Sequence, residues 1–549
     1  MDEQLEELAV PQQVGSIDLI KDQVTSGNNS TYWLESTAPL STHQLNKELK
    51  TEVVIVGGGI AGLSVAYNLV KAGKKVVVVE DGNIGSGETG RTTAHLVNAL
   101  DDRYYDLERM YGKEKTKLIA SSHTRAINFI ENVIESENID CDFKRLPGYL
   151  FLHPSDKADS LDKELEACLE AGMYVKKVEQ IPGIKGVNSA GLEFANQAKF
   201  HPMKYLEGLY KAIVQEGGTV LTNTHAEIID QTGVITRGGY AIKADHVVVA
   251  TNTPVNNKFI PHLQQYAYRT YVIGAKVKKG TVPDVLLWDT GDMEANAEIP
   301  PYHYVRLQSL DEQYDLLIVG GEDHATGLAD AEDTTEGERY ALLEDWTRKH
   351  FDIEEITYQW SGQVMEPMDA LAYIGRNPRD HKNVYIITGD SGNGMTHATI
   401  AGMLINDLIL GNKNDWEELY DPSRFKLFTA GKTFFKEVTA GLISYMKTKP
   451  DPKENEIESI RRDEGKIVKM DDKPYAVYRD ESDALHIVAA ECSHMKCIIK
   501  WNGDEKSWDC PCHGSRFTHE GKVINGPANK DLSYHKEEYV VAYKPLGLN

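Results

Sequence analysis

Residues Thr51 to Glu80, TEVVIVGGGIAGLSVAYNLVKAGKKVVVVE, constrain the fold most, because they read as a complete βαβ unit. Val53 to Val56 is an apolar β-branched run, which predicts a buried strand. Gly57, Gly59 and Gly62 follow as G-x-G-x-x-G at the strand-to-helix turn. Side chains there would keep the backbone from a pyrophosphate and the helix from the strand. The helix opening at Ile60 and Ala61 would aim its N-terminal N–H groups and positive dipole end at the phosphates. Val76 to Val79 predicts the second strand, which ends at Glu80, eighteen positions past Gly62, with Asp81 beside it. A carboxylate at that place accepts from ribose hydroxyls and favours FAD or NAD over NADP. A tight βα turn without a ligand would explain the glycines alone, but not the strand, helix, second strand and terminal acid together. Val53 to Val70 is also uncharged over the length of a membrane span, about 18 to 20 residues. The glycine cluster and the change of period at the turn argue against that reading.

At 549 residues the chain exceeds one usual core and predicts two or three domains. A formal charge of -25 repels phosphate backbones and anionic lipid, which argues against nucleic acid or a membrane as a partner. The opening MDEQLEELAV lacks the basic segment and apolar run of a signal peptide, so a cytoplasmic protein is expected. Of six cysteines, Cys141 and Cys168 stand apart as small hydrophobes, whereas Cys492, Cys497, Cys510 and Cys512 crowd together and suggest a metal.

Residues 1–50 read as a partly ordered lead-in, with a polar turn at Gly27 to Ser30. After Glu80 comes DGNIGSGETGRTTAHL, whose glycines allow close approach beside the donors Arg91, Thr92 and Thr93. The segment 101–180 reads as largely helical, with Leu118, Ile119, Ala126, Ile127, Phe129 and Ile130 on one face. His246 to Pro254 predicts a strand that closes against the βαβ unit, and 265–370 a mixed sheet that could roof a flavin. Within it Tyr302, His303, Tyr304, Arg306 and the run Gly320 to His324 could line a substrate pocket, or simply pack a half-buried sheet. The strand Val384 to Thr388 leads into a turn at Gly389 and a helix from Gly394 and Met395, whose N–H groups would face negative charge.

Together the glycine motif, Glu80, the Gly87 to His95 loop, the Val247 strand and the Gly389 to Gly402 turn and helix resemble the D-amino-acid oxidase-like FAD-dependent oxidoreductases. The resemblance implies a multidomain chain: an α/β FAD-binding domain of Rossmann type, interleaved with an antiparallel-sheet substrate domain over residues 51–430, that oxidises C–N bonds. Some members bind FAD covalently through a histidine near the first glycine loop, but the spacing of His95 does not match that use. Arg424 to Lys449 is a basic amphipathic pattern that could touch a membrane surface, although its apolar face is expected rather to pack on the protein. Residues 431–456 read as that helix and a linker, with two prolines and dense charge from Lys449 to Glu456.

Residues 457–549 change to short strands. There Cys492-Ser493-His494 is followed, after fifteen residues, by Cys510-Pro511-Cys512-His513. Two cysteines and two histidines could hold zinc. However, C-x-H and C-x2-H continued by Gly514-Ser515-Arg516-Phe517 strongly resemble an all-β Rieske [2Fe–2S] domain. By that resemblance Cys492 and Cys510 hold one iron and His494 and His513 the other, which raises the potential above that of an all-cysteine cluster. Cys497 and Cys512 match the pair that forms a disulfide in the respiratory type, and Ser515 the hydroxyl that hydrogen-bonds a bridging sulfide. Phe517 replaces a tyrosine and Asn529 a proline, so a lower potential than in the respiratory type is expected.

A two-electron and a one-electron cofactor in one chain imply relay. The primary reading is a dehydrogenase of a small amine or amino acid that passes electrons through the cluster to a one-electron acceptor, by way of an exposed histidine ligand. The alternatives are a reductase or monooxygenase fed in the opposite direction, and an electron-transfer module without chemistry of its own. A Rieske oxygenase would need a D-x2-H-x3-4-H iron site, which the sequence lacks. No catalytic base can be named.

Overall fold

The computed structural model describes residues 26–187, 189–256, 262, 264–295, 300–327, 336–424, 457–470 and 473–534. The basic amphipathic pattern from 425 and the linker to 456 lie outside the described residues.

The strand Leu49–Val56 pairs in parallel with Val76–Val79 on one side and Ala241–Val249 on the other. Val384–Thr388 joins beyond Ala241–Val249, and Thr219–Leu221 beyond Val76–Val79. Val53 and Ile55 enter one hydrophobic cluster, and Val54 and Val56 another, as a parallel strand covered on both faces requires. A Cβ at Gly62 would fall on the carbonyl oxygen of Gly57, so the helix Ile60–Lys71 reaches the strand only through glycine. The helix Gly394–Leu410 packs on that helix, and Gly402 lies against the Ser64 carbonyl, where a Cβ would come within 2.8 Å of the oxygen.

The second sheet has nine strands and is antiparallel, save for the pairing of Leu286–Asp289 with Lys144–Phe151. Its long strands Gln265–Lys278, Tyr314–Ala325 and Glu355–Pro367 form the roof foreseen from composition. The 101–180 segment is helical at Tyr104–Tyr111, Lys113–Ser136 and Ser160–Glu170, but Lys144–Phe151 and Val175–Val178 are strands of this sheet. Lys144–Phe151 lies between Leu286–Asp289 and Gly191–Lys199, and Val175–Val178 pairs with Gly191–Lys199.

Arg306 is fully buried, and its guanidinium donates to the carbonyls of Thr93 (3.2 Å), Ala94 (2.8 Å) and Phe200 (3.0 Å). Burial lowers its pKa to about 9, and it serves as a strut behind the Thr93 loop. The lead-in also has a structural purpose. Trp33 is wholly buried, its indole N–H donates to Thr92 O (2.6 Å), and Asn28 and Asn29 reach the C-terminal domain.

That domain comprises a three-stranded sheet over 464–489 and a four-stranded sheet over 500–525. Its two cysteine-histidine loops precede Lys500–Asn502 and link Ser507–Asp509 to Arg516–Thr518. Among the described residues no helix is long and apolar enough to cross a membrane.

Candidate active site and cluster centre

A cleft runs from Glu80 and Asp81, past Gly57, Gly59, Ile60 and Ala61, along Thr92 and Thr93, to Gly394 and Met395. Gly57 has φ +111, and a Cβ there would strike the Ala250 carbonyl, so the loop passes tightly under the cleft. Gly62 and Gly389 shape the backbone and do not line the cleft. The Glu80 carboxylate accepts from Gly58 N (2.6 Å) and Gly82 N (2.9 Å), while burial and the neighbouring Asp81 raise its pKa. Burial acts likewise on Asp81, but His225 and Glu80 hold its pKa down. Glycine loop, helix N-terminus and ribose-side acid thus lie along one cleft of the shape a dinucleotide requires.

Arg91 departs from its expected role as a donor to the cofactor. Its guanidinium is buried and donates to Asn29 O (2.9 Å), Ser361 O (3.0 Å) and Glu505 (3.4 Å). Thr93 Oγ1 lies 3.0 Å from His95 Nδ1, and His95 Nε2 lies 3.3 Å from Val305 O. Both ring nitrogens of His95 are therefore engaged within the protein, and burial lowers its pKa to about 3.

Of the roof residues singled out in the sequence, Tyr302, Tyr304 and Asp323 line the cleft. Arg306 is the strut described above, and His324 stacks on Tyr271. His303 lies between Asp289 (3.0 Å) and Glu322 (3.2 Å) and stacks on Trp346. Burial alone would lower its pKa, but those two carboxylates raise it to about 9. With a folded pKa above the unfolded value, its stabilisation is complete below about pH 6.5 and is lost as pH rises through about 9. His303→Gln is therefore expected to cost about 3 kcal/mol at low pH. The stability gap to the parent, read by denaturant unfolding, should close as pH passes about 9. A gap independent of pH would show that the ring is not protonated.

Sequence reading missed Asp101, Asp390, Asn393 and His397 in the cleft, together with Val523 to Asn529 of the C-terminal domain. Burial raises the pKa of Asp101 to about 6, Asp323 to about 7 and Asp390 to about 6, and lowers that of His397 to about 4. A doublet of acids after a glycine loop carries no motif, and no local pattern announces a contact between domains.

In the C-terminal domain Cys492 and Cys510 are each 1% exposed, and neither is joined in a disulfide. Nδ1 of His494 and Nδ1 of His513 are buried without a hydrogen-bond partner, and the two rings lie 5.1 Å apart. Two sulfurs and two unpartnered nitrogens are the donor set a [2Fe–2S] cluster of Rieske type needs. Cys497 and Cys512 are joined as a disulfide and so are withdrawn from the donor set. The Ser515 hydroxyl accepts from Ala528 N (3.0 Å), which ties the Gly526-Pro527-Ala528 loop to the loop that carries Cys510 and His513.

The two centres abut. His262 packs its ring on His494 (5.1 Å) and His513 (6.1 Å). Gln363 Nε2 donates to Gly514 O (3.0 Å) and Asn529 Nδ2 to Ala226 O (3.1 Å). Glu505 is fully buried and accepts from Asn28 N (2.5 Å) and Ser361 Oγ (2.5 Å), beside Arg91 (3.4 Å) and Arg269 (3.3 Å). Burial would raise its pKa, but Arg91, Arg269 and Arg516 hold it at about 2. His513 is thus buried against the oxidoreductase half, whereas His494 is half-buried and Met495 beside it is 42% exposed.

Fold and site define a flavin-dependent oxidoreductase with an iron–sulfur domain. The chain belongs to the FAD-dependent oxidoreductase family, whose model matches residues 52–408, and the Rieske [2Fe-2S] domain matches residues 452–539. FAD and a Rieske-type [2Fe–2S] cluster are therefore its cofactors. The Rieske 2Fe-2S iron-sulfur protein YhfW of Bacillus subtilis (strain 168) is 31% identical over 91% of this chain and 96% of its own length. Gamma-glutamylputrescine oxidoreductase of Escherichia coli (strain K12) is 27% identical over 75% of this chain and 96% of its own. Among solved structures, L-proline dehydrogenase of P. horikoshii superposes with a TM-score of 0.53 at 21% identity, covering 69% of this chain and 98% of that one.

Proposed function

We propose that the protein is a dehydrogenase of a small amine or amino acid whose electrons leave through the Rieske domain to a one-electron acceptor. The observation that carries this reading is the docking of the cluster's histidine face on the oxidoreductase half, with Val523 to Asn529 walling the FAD cleft. When bound, FAD supplies two-electron acceptance and the cluster one-electron transfer. The substrate C–H and N–H bonds give up two electrons and two protons, and the imine formed is hydrolysed by water.

The residues of the cleft serve the proton. Both carboxylate oxygens of Asp323 are buried without a hydrogen-bond partner, and with its pKa near 7 the group can take a proton from a substrate ammonium. Tyr302 Oη donates to Asp101 (3.1 Å), and Thr270 Oγ1 lies 2.6 Å from Tyr304 Oη. These contacts fix the wall facing Asp323 and orient what binds there. The names of the amine- and proline-acting relatives support the reaction class.

The test is anaerobic addition of a panel of primary amines, N-methyl amines and amino acids to the holoprotein. The expected result is flavin bleaching by at least one of them. If none bleaches the flavin while a reduced carrier protein reduces the cluster, the reductase reading replaces this one.

A further inference from the structure

The FAD cleft opens into a second cavity with which it shares Asp101, Tyr268, Trp288 and Tyr302. That vestibule is lined by Asp102, Asp106, Asp156, Glu164 and Glu366, with Arg103 as its only lysine or arginine among the described residues. The same imbalance holds at the cleft. Its only lining arginine or lysine among the described residues is Arg91, whose two Nη groups already donate to Asn29, Ser361 and Glu505.

Within the cleft, Asp323 is 1% exposed with neither carboxylate oxygen hydrogen-bonded, and the neighbouring Thr270 hydroxyl is engaged with Tyr304. A buried carboxylate left without a partner is costly unless a cation or a proton completes it. Aromatic faces beside it, Tyr268, Trp288 and Tyr302, are surfaces on which alkylammonium groups rest favourably.

We infer that the substrate is a linear di- or polyamine without a carboxylate: one amine reaches the flavin past Asp101 and Asp323, and a second ammonium stays in the acidic, aromatic vestibule. This rests on the dehydrogenase reading and narrows it. A substrate carboxylate would meet a single vestibule guanidinium, Arg103, which donates to Asp289 O (3.3 Å), among the carboxyl groups of Asp101, Asp102, Asp106, Asp156, Glu164 and Glu366. Burial raises the pKa of Asp102 to about 7 and that of Glu366 as well, so these acids favour the protonated form and a bound ammonium would draw them toward the charged one.

The experiment is anaerobic titration calorimetry of the holoprotein with 1,4-diaminobutane, n-butylamine and N-methylglycine, with flavin absorbance read in parallel. The diamine should bind at least about tenfold more tightly than the monoamine, and the amino acid least tightly. Asp106→Asn and Glu366→Gln should each shrink the diamine-to-monoamine ratio, a comparison made within one protein and therefore insensitive to partial misfolding. Equal binding of diamine and monoamine, or tightest binding of N-methylglycine, would overturn the inference. Bleaching separates the two claims: bleaching by the amino acid but not the diamine sinks the vestibule and keeps the dehydrogenase, while tight diamine binding with no bleaching by any amine sinks the dehydrogenase alone.

Discussion

Cys510→Ala should leave FAD bound and substrate-dependent flavin bleaching intact, while turnover with a one-electron acceptor falls by about a thousandfold. Cys510 is one of two buried thiols of the centre, and without it the remaining Cys492, His494 and His513 cannot complete the two-plus-two donor set. The fold around it should survive. The Cys497–Cys512 disulfide and the buried pairing of Arg516 with Asp509 (3.0 Å) hold the loop independently of the ligand. Flavin and cluster absorbances report the two occupancies separately, and stopped-flow bleaching reports the half-reaction. Undiminished turnover in a protein shown to lack the cluster would take the Rieske domain out of the electron path.

Glu505→Ala is the second large effect. The carboxylate satisfies Asn28 N, Asn29 N and Ser361 Oγ, and lies within 3.4 Å of both Arg91 and Arg269. Its removal leaves two buried guanidiniums short of their counter-charge, which costs about 3 to 5 kcal/mol. Because Arg91 belongs to the loop along the FAD cleft and Arg269 to the roof, that cost falls on the junction between the halves. The expected outcome is an unchanged rate of flavin bleaching, a slower second phase of cluster reduction, and a lower melting temperature. Glu505→Gln, which keeps the acceptor oxygen and loses the charge, should fall between alanine and the parent. A variant whose two phases are both unchanged would mean that docking does not depend on this pair.

Much of this was legible in the sequence because it is encoded locally. Strand, glycine turn, helix and acid over Thr51 to Glu80 follow from periodicity and from the absence of side chains at Gly57 and Gly62. The two cysteine-histidine loops were equally plain, since a chelating donor set leaves fixed spacings. What the sequence concealed is relational. Arg91 looked like a donor to the cofactor because of the loop it sits in, yet a glutamate more than four hundred positions away claims its guanidinium. Asp323 was visible within Gly320 to His324, but its lack of any partner is a property of packing, and nothing near Asn529 foretells that its side chain reaches Ala226. Lys144–Phe151 and Val175–Val178 were absorbed into a helical reading because their sheet partner, Gly191–Lys199, lies further along the chain.

The central claim is that electrons run from substrate through flavin to the docked cluster within one chain. It is tested most directly by anaerobic stopped-flow mixing of the holoprotein with an oxidisable amine, following the flavin and cluster bands together. Flavin bleaching first, followed by cluster reduction at a rate independent of protein concentration, is the result expected. Cluster reduction that rises with protein concentration would place the transfer between molecules, and a flavin that bleaches while the cluster stays oxidised would contradict the relay altogether.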